Sequence, residues 1–443
     1  MFQALLNKLP RTATAPFCPS EVNGTVIISA ALPFWKKLLK FAGPGLLISV
    51  GYMDPGNWAT DIEAGSRYGY ALLFVILFSS LIAIFLQTLC LKLGIVTRKD
   101  LARLCRDHYS PRTGKFLWLM AELAIIACDL AEVLGTALAF HLLFGCSILV
   151  GVLLTAFDTL IVLALKGKGF RQVEAIVLGL IVTIGLCFLI ELVMVQPDYV
   201  LAAKSLQPSL SVLANRHALY LAIGILGATV MPHNLYLHSS IVQTRVVSNR
   251  IEDKSEAIKF STIDTVVSLS LAFFINAAIL MLAASAFHDT GHTGIADIED
   301  AYHLLEPVMG SAFAAILFGV ALLAAGQSST LTGTIAGQVI MEGFLNLKIP
   351  CWQRRLITRM LALVPALLGI LVWGDGAVGK LLVLSQVVLS MQLPFAIYPL
   401  LKLTGNKKLM GEFATGWMST IIAWAIFVLI ASLNAWLIIE FFN

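Results

Sequence analysis

Two four-residue stretches put possible metal ligands where a helix must break. Asp54-Pro55-Gly56-Asn57 and Met231-Pro232-His233-Asn234 each offer a ligand-capable side chain, a proline, one further residue and an asparagine. Each lies inside an apolar run long enough to cross a bilayer. A proline there removes a backbone donor and clashes with the preceding turn, so the helix should break. Within a membrane such a break is tolerated only where protein or a polar cavity satisfies the freed backbone groups. Two breaks at matching places of two half-chains point to the binding site of a transporter. The donors are a carboxylate (Asp54), two amide oxygens (Asn57, Asn234) and a thioether (Met231), a set that suits a divalent transition metal.

Asp54 has no basic residue near it in its own apolar run. A carboxylate at membrane depth is costly unless it is paired or solvated, so a ligand role is the default reading and bundle-holding ion pairing the alternative. A methionine in a membrane helix is usually packing. Its place directly before Pro232, matching Asp54 before Pro55, is what singles Met231 out. A thioether is a poor ligand for Mg²⁺ and Ca²⁺, which take oxygen shells, and is acceptable to softer Mn²⁺, Fe²⁺, Co²⁺ or Cd²⁺. The residues one turn before the prolines, Gly51 and Ala228, are small and would aim backbone carbonyls at the gap. Gln386 could supply a further oxygen, as could Gln87. For protons, His233 lies within the second break and His238 follows it. One apolar run carries Glu122, Asp129 and Glu132, the last two an i, i+3 pair on one face. A relay from Asp54 through His233 towards Asp129 and Glu132 is one reading. A bundle-stabilising network of these acids with Arg354 or Arg355 is the other, and both can hold.

The composition says what must position these groups. The chain has 443 residues, 58% hydrophobic and 13% charged, with a mean hydropathy of +0.88. Soluble domains carry about 25% charged residues, so this is a polytopic membrane protein. The seven cysteines are scattered without a CxxC pair, and no disulfide framework is expected. Eleven spans are expected, near 42–66, 70–95, 115–140, 146–166, 172–195, 217–245, 260–287, 309–343, 356–374, 378–402 and 415–441. A mixed tail over 1–41 precedes them, with 26–32 read as an interfacial segment. Of the 30 basic residues, all but Arg67, Lys204, Arg216 and Lys380 fall in the tail or in alternate loops. That asymmetry places the N-terminus inside and the C-terminus outside.

Spans 1–5 (42–195) and 6–10 (217–403) each number five. An odd number makes the second half insert upside down relative to the first, so the broken spans 1 and 6 meet near the midplane. Span 11 (415–441) lies outside this repeat. The expected fold is therefore an all-α polytopic 5+5 inverted repeat plus an eleventh helix.

On these two motifs the chain resembles the NRAMP family of divalent-metal transporters, and within it the bacterial proton-coupled manganese transporters. The similarity covers roughly residues 40–403. The resemblance implies a LeuT-type fold and proton-coupled uptake of Mn²⁺, Fe²⁺ and related ions across a bacterial inner membrane. It implies Asp54, Asn57 and Met231 as metal ligands, the Gly51 and Ala228 carbonyls by turns, and Gln386 in part of the cycle. It also implies His233, Asp129 and Glu132 in proton movement. Ser80 and Cys128 stand where some relatives have Asn and Thr, and Met231 argues against the magnesium-transporting branch.

The reading is a secondary transporter working by alternating access, not an enzyme. It has the metal as cargo, no cofactor, no nucleic-acid partner and a monomeric unit in the bilayer. The nearest rival is a sodium-coupled amino acid symporter of the same fold, in which a buried Asp54 would repel the substrate carboxylate. An intramembrane hydrolase lacks its constellation, since His233 and His238 form no HExxH. A channel is the third alternative.

Overall fold

Proline and glycine cut the long apolar runs, and the cuts set the architecture. The computed structural model describes residues 23–28, 32–155, 170–209, 214–346, 351–374 and 378–442, with 212 and 376 besides. Several side chains within 351–373 and at 440–442 fall outside that description. The first span is two helices, α2 (Pro44–Gly51) and α3 (Pro55–Tyr68), behind a short α1 (Phe34–Phe41). Span 2 is α4 (Leu73–Thr97), then a short α5 (Leu101–His108), and span 3 is α6 (Pro111–Phe144). Span 4 is described as α7 (Ile148–Thr155), span 5 is α8 (Phe170–Val195), and α9 (Tyr199–Lys204) follows. Span 6 is divided into α10 (Arg216–Val230) and α11 (Pro232–Ile241), and span 7 is α12 (Ile251–Ala283). After α13 (Ile298–Met309) come α14 (Ala312–Leu345), α15 (Cys351–Trp373) and α16 (Val378–Thr404) as spans 8 to 10. The short α17 (Lys407–Met410) leads to α18 (Trp417–Phe442), span 11.

Among the described residues, eight helical stretches are long and apolar enough to cross a membrane. They hold the expected spans except the divided first on its own, the fourth, mostly outside the description, and the ninth, whose apolar part Leu363–Val372 is shorter. Three boundaries move. Span 7 starts at Ile251 rather than near 260, because its first turns are charged (Glu252, Asp253, Lys254) and carry no apolar signal. Span 8 begins after Gly310, whose φ of 65° ends α13, so the acidic stretch expected as a loop holds a helix. Span 3 is 34 residues, about 51 Å long, and so projects past the hydrocarbon as much as span 8, the one expected to do so.

Span 3 packs on spans 8 and 10, span 5 on span 8, and α10 on span 10. Span 7 runs along α2, α3 and span 2. Glycines allow the closest approaches. A Cβ on Gly135 of span 3 would overlap Pro55, and one on Gly56 would overlap the Gln386 amide.

The end of the bundle where span 1 enters is tied by charge. The Asp264 carboxylate of span 7 accepts from Gly43 N at 3.2 Å and Gly45 N at 2.7 Å, meeting donors that the start of α2 leaves open. Arg245, 1% exposed, pairs with Glu174 at 2.6 Å and donates to the carbonyl of Ala42 at 2.6 Å. Arg171 adds a second bridge to Glu174 at 2.9 Å. Such a pair is weak evidence for stability but fixes register. Outside these, Val26 pairs in parallel with Arg245. Val26 N donates to Thr244 O, and Val246 N to Val26 O, both at 2.9 Å. The start of the segment expected to lie in the membrane interface is thus a strap on the bundle, with Val26 buried and Ile27 outward. Residues 29–31 lie outside the described residues.

Candidate metal centre

The first break spans Tyr52 to Asp54. Pro55 cannot donate to Gly51, and the chain leaves helical geometry at Asp54 (φ −71°, ψ 163°). Three successive carbonyls lose their helical partners, and each receives a side-chain N–H. Gly51 O accepts from Asn57 Nδ2 at 3.4 Å, Tyr52 O from Asn276 Nδ2 at 2.8 Å, and Met53 O from Trp58 Nε1 at 3.1 Å. Asp54 caps α3 through Asn57 N at 2.8 Å. This completes the accounting that a buried break demands.

The second break is a single residue. Met231 takes φ 41°, ψ 105° between α10 and α11. A non-glycine residue at positive φ is uncommon and strained. Pro232 cannot donate to Ala228, and that carbonyl instead accepts from Asn57 Nδ2 at 3.1 Å. The same nitrogen donates to Asp54 Oδ1 at 2.6 Å. One amide nitrogen thus gathers oxygens from both breaks: Asp54, Gly51 and Ala228.

The sulfur is beside them. A Cβ on Gly51 would lie 3.2 Å from Met231 Sδ and 2.5 Å from Asn234 Nδ2. Asn234 Nδ2 faces the sulfur at 3.6 Å. Gln386 lies against Gly56, with Nε2 donating to Ser385 Oγ at 3.0 Å. Asp54 Oδ2, Asn234 Oδ1 and Gln386 Oε1 are buried without a hydrogen-bond partner. No ion pair involves Asp54 among the described residues. The carbonyl ends of α2 and α10 also converge here, and helix C-termini favour a cation.

The other sequence-derived groups fall into two places. Cys128 Sγ of span 3 is 3.5 Å from Glu132 Oε1 and 3.5 Å from His233 Nε2. A Cβ on Gly333 of span 8 would meet Glu132 Oε1 at 2.7 Å and Asp129 Oδ1 at 3.1 Å, so both carboxylates lie on that glycine. Glu122 is buried two turns away, its two oxygens without partners. The side chains of Arg354 and Arg355 lie outside the described residues. In the second place, Gln87 is hydrogen-bonded at both ends. Its Nε2 donates to Tyr52 Oη at 2.9 Å and its Oε1 faces His238 Nδ1 at 2.9 Å.

Tyr52, Trp58 and Asn276 were not legible as parts of the site, and neither was Asp61, buried on α3 with Oδ2 unpartnered. Trp58 and Asn276 each donate to a carbonyl of the first break. The one available signal was a polar Asn in the apolar part of span 7. Glu174, Asp264 and Glu342 pair with Arg245, with the start of α2 and with Arg103 respectively. Asp158 lies outside the described residues. Glu191 is buried with both oxygens unpartnered.

Residues 45–440 match the family described as natural resistance-associated macrophage protein-like. The divalent metal cation transporter MntH of Ralstonia nicotianae is 66% identical over 433 residues, 98% of each chain. A variant of the Eremococcus coleocola manganese transporter superposes with a TM-score of 0.88 at 39% identity, covering 94% of this chain and 89% of that one. The transporter MhsT, solved with L-phenylalanine, superposes at 0.61 with 16% identity over 88% of this chain and 98% of its own, a likeness of fold alone. The fold is the LeuT-type inverted repeat with broken spans 1 and 6.

Proposed function

The chain belongs to the natural resistance-associated macrophage protein-like family, and from that premise we propose that it is a secondary transporter that imports divalent transition metals, Mn²⁺ foremost and also Fe²⁺, Co²⁺ and Cd²⁺, in exchange for no chemistry of its own. It is a multi-pass membrane protein and not an enzyme. The metal is cargo, and proton entry accompanies it.

The observation that carries this reading is the position of Asn57 Nδ2 among Asp54 Oδ1, Ala228 O and Gly51 O. A donor nitrogen stands where a cation would collect the same oxygens. A half-turn of the Asn57 amide replaces that donor with an oxygen of nearly the same shape, so the same side chain becomes a ligand of the bound cation. Asp54 supplies the one formal negative charge of this set. Its unpartnered Oδ2 carries an unsatisfied-group cost of about 1–3 kcal/mol, which a bound cation removes. Met231 Sδ supplies the soft ligand that disfavours Ca²⁺ and Mg²⁺. Gln386 adds its Oε1 in part of the cycle.

Residues 42–195 and 217–403 act as the two repeats, which rock about the site between outward and inward openings. The basic loops put the strap and the Arg245 network on the cytoplasmic side and the C-terminus outside, in a bacterial inner membrane. One chain suffices, because every donor named comes from it. Protons pass by His233 towards Asp129 and Glu132 and on to Glu122, with Arg354 and Arg355 as the positive partners of those acids.

The test is Mn²⁺ uptake into proteoliposomes holding an internal pH dye, for wild type and Met231→Ala, with excess external Ca²⁺. Saturable entry with acidification is expected, resistant to Ca²⁺ in the wild type and inhibited by it about tenfold more readily in the variant. No Mn²⁺ entry in a folded preparation overturns the substrate. Unchanged Ca²⁺ discrimination overturns the role of the sulfur.

A further inference from the structure

The proton route contains a side chain that the function has not used. Cys128 lies in the middle of span 3, 1% exposed. Its sulfur is 3.5 Å from Glu132 Oε1, one turn along the same helix, and 3.5 Å from His233 Nε2, two residues past the Met231 turn on α11. It therefore spans the gap between the broken helix and the acids of span 3. A thiol has one weak donor and one weak acceptor. With S–H directed to the carboxylate, the sulfur accepts from Nε2–H of the imidazole. That single direction fixes the ring tautomer and leaves Nδ1, buried and without a hydrogen-bond partner, as the free ring acceptor. Ala124, Ala127 and Leu389 pack around Cys128, and the carboxylates of Asp54 and Asp129 are the other charged groups near its thiol.

We infer that Cys128 is a positioning residue whose thiol holds the Glu132 carboxylate and the His233 imidazole in one hydrogen-bonded line, so that proton movement along span 3 stays tied to the metal-binding break. This rests on the proton route set out above. The competing account is a small buried hydrophobe filling space. The two differ in what isosteres do. Valine keeps the volume and removes the donor and acceptor, whereas serine keeps both in a smaller side chain.

The experiment measures protons taken up per Mn²⁺ in proteoliposomes, together with Mn²⁺ KM and thermal stability, for C128V, C128A, C128S and E132Q. C128V and C128A should lower the proton-to-metal ratio at least threefold while Mn²⁺ KM stays within about twofold. C128S should keep most of the wild-type ratio. A wild-type ratio in C128V or C128A, with E132Q reduced, overturns the role of the thiol and leaves the route standing. A wild-type ratio in E132Q removes Glu132 from the route and overturns both. If C128V does not fold, C128A against C128S makes the same comparison, and equal ratios in that pair overturn the proposal.

Discussion

At the first break three consecutive carbonyls each take a side-chain N–H, from Asn57, Asn276 and Trp58. At the second, one methionine at φ 41° makes the turn. The oxygen that Pro232 cannot serve, Ala228 O, accepts from Asn57 of the other half. The two stretches share a sequence pattern and are not built alike. The first is held by side-chain hydrogen bonds, two from its own helix α3 and one from span 7. The second turns on one strained residue and leans on the first. In the function proposed above, the first arm positions charge and the second brings the soft ligand that selects the ion.

Substitutions at three positions test that division, in falling order of effect. Asn57→Ala removes the group both breaks share. Gly51 O and Ala228 O lose their side-chain donor together, at about 1–3 kcal/mol for each group left unsatisfied, while Asp54 Oδ1 keeps the backbone N–H of residue 57. The expected result is a fall of tenfold or more in Mn²⁺ uptake with a clearly lowered thermal midpoint. A variant as stable as wild type would mean that the breaks do not depend on this amide. Met231→Gly and Met231→Ala both delete the sulfur, but glycine accepts positive φ without penalty. Relief of strain on the order of 1 kcal/mol should make the glycine variant the more heat-resistant of the two. Equal midpoints would remove strain from the account of the second break. Asn234→Ala should matter least. Its amide reaches only the sulfur, at 3.6 Å, so Mn²⁺ KM should change about twofold or less. A large loss there would make the second asparagine a ligand and restore the symmetry that the motifs suggest.

Much of the fold was legible because its signals are local. A run of apolar residues of bilayer length declares a span. A proline within it declares a break, whatever surrounds it. The failures have the same cause in reverse. Span 7 begins in charged turns, and α13 is acidic on a surface where helix and loop have similar composition. The placement of Asp54, Asn57 and Met231 in or next to the breaks was legible in the same sense. The partners of Gln87 were not legible, because its position in span 2 gives no sign that Tyr52 and His238 occupy both ends of its amide.

The sequence by itself determined the solvent of this protein, the places where two of its helices break, and the chemical softness of the groups at those places. These follow from side-chain chemistry and the missing N–H of proline, which no partner alters. Tertiary structure alone decided that Asn57 Nδ2 meets Ala228 O, 171 positions further along the chain. It also decided that Asn276 and Trp58 close the first break, and that Cys128 stands between His233 and Glu132. Hydrogen bonds act over about 3 Å, and which atoms come that close depends on the crossings and glycine contacts of packed helices, which no single stretch of the chain encodes.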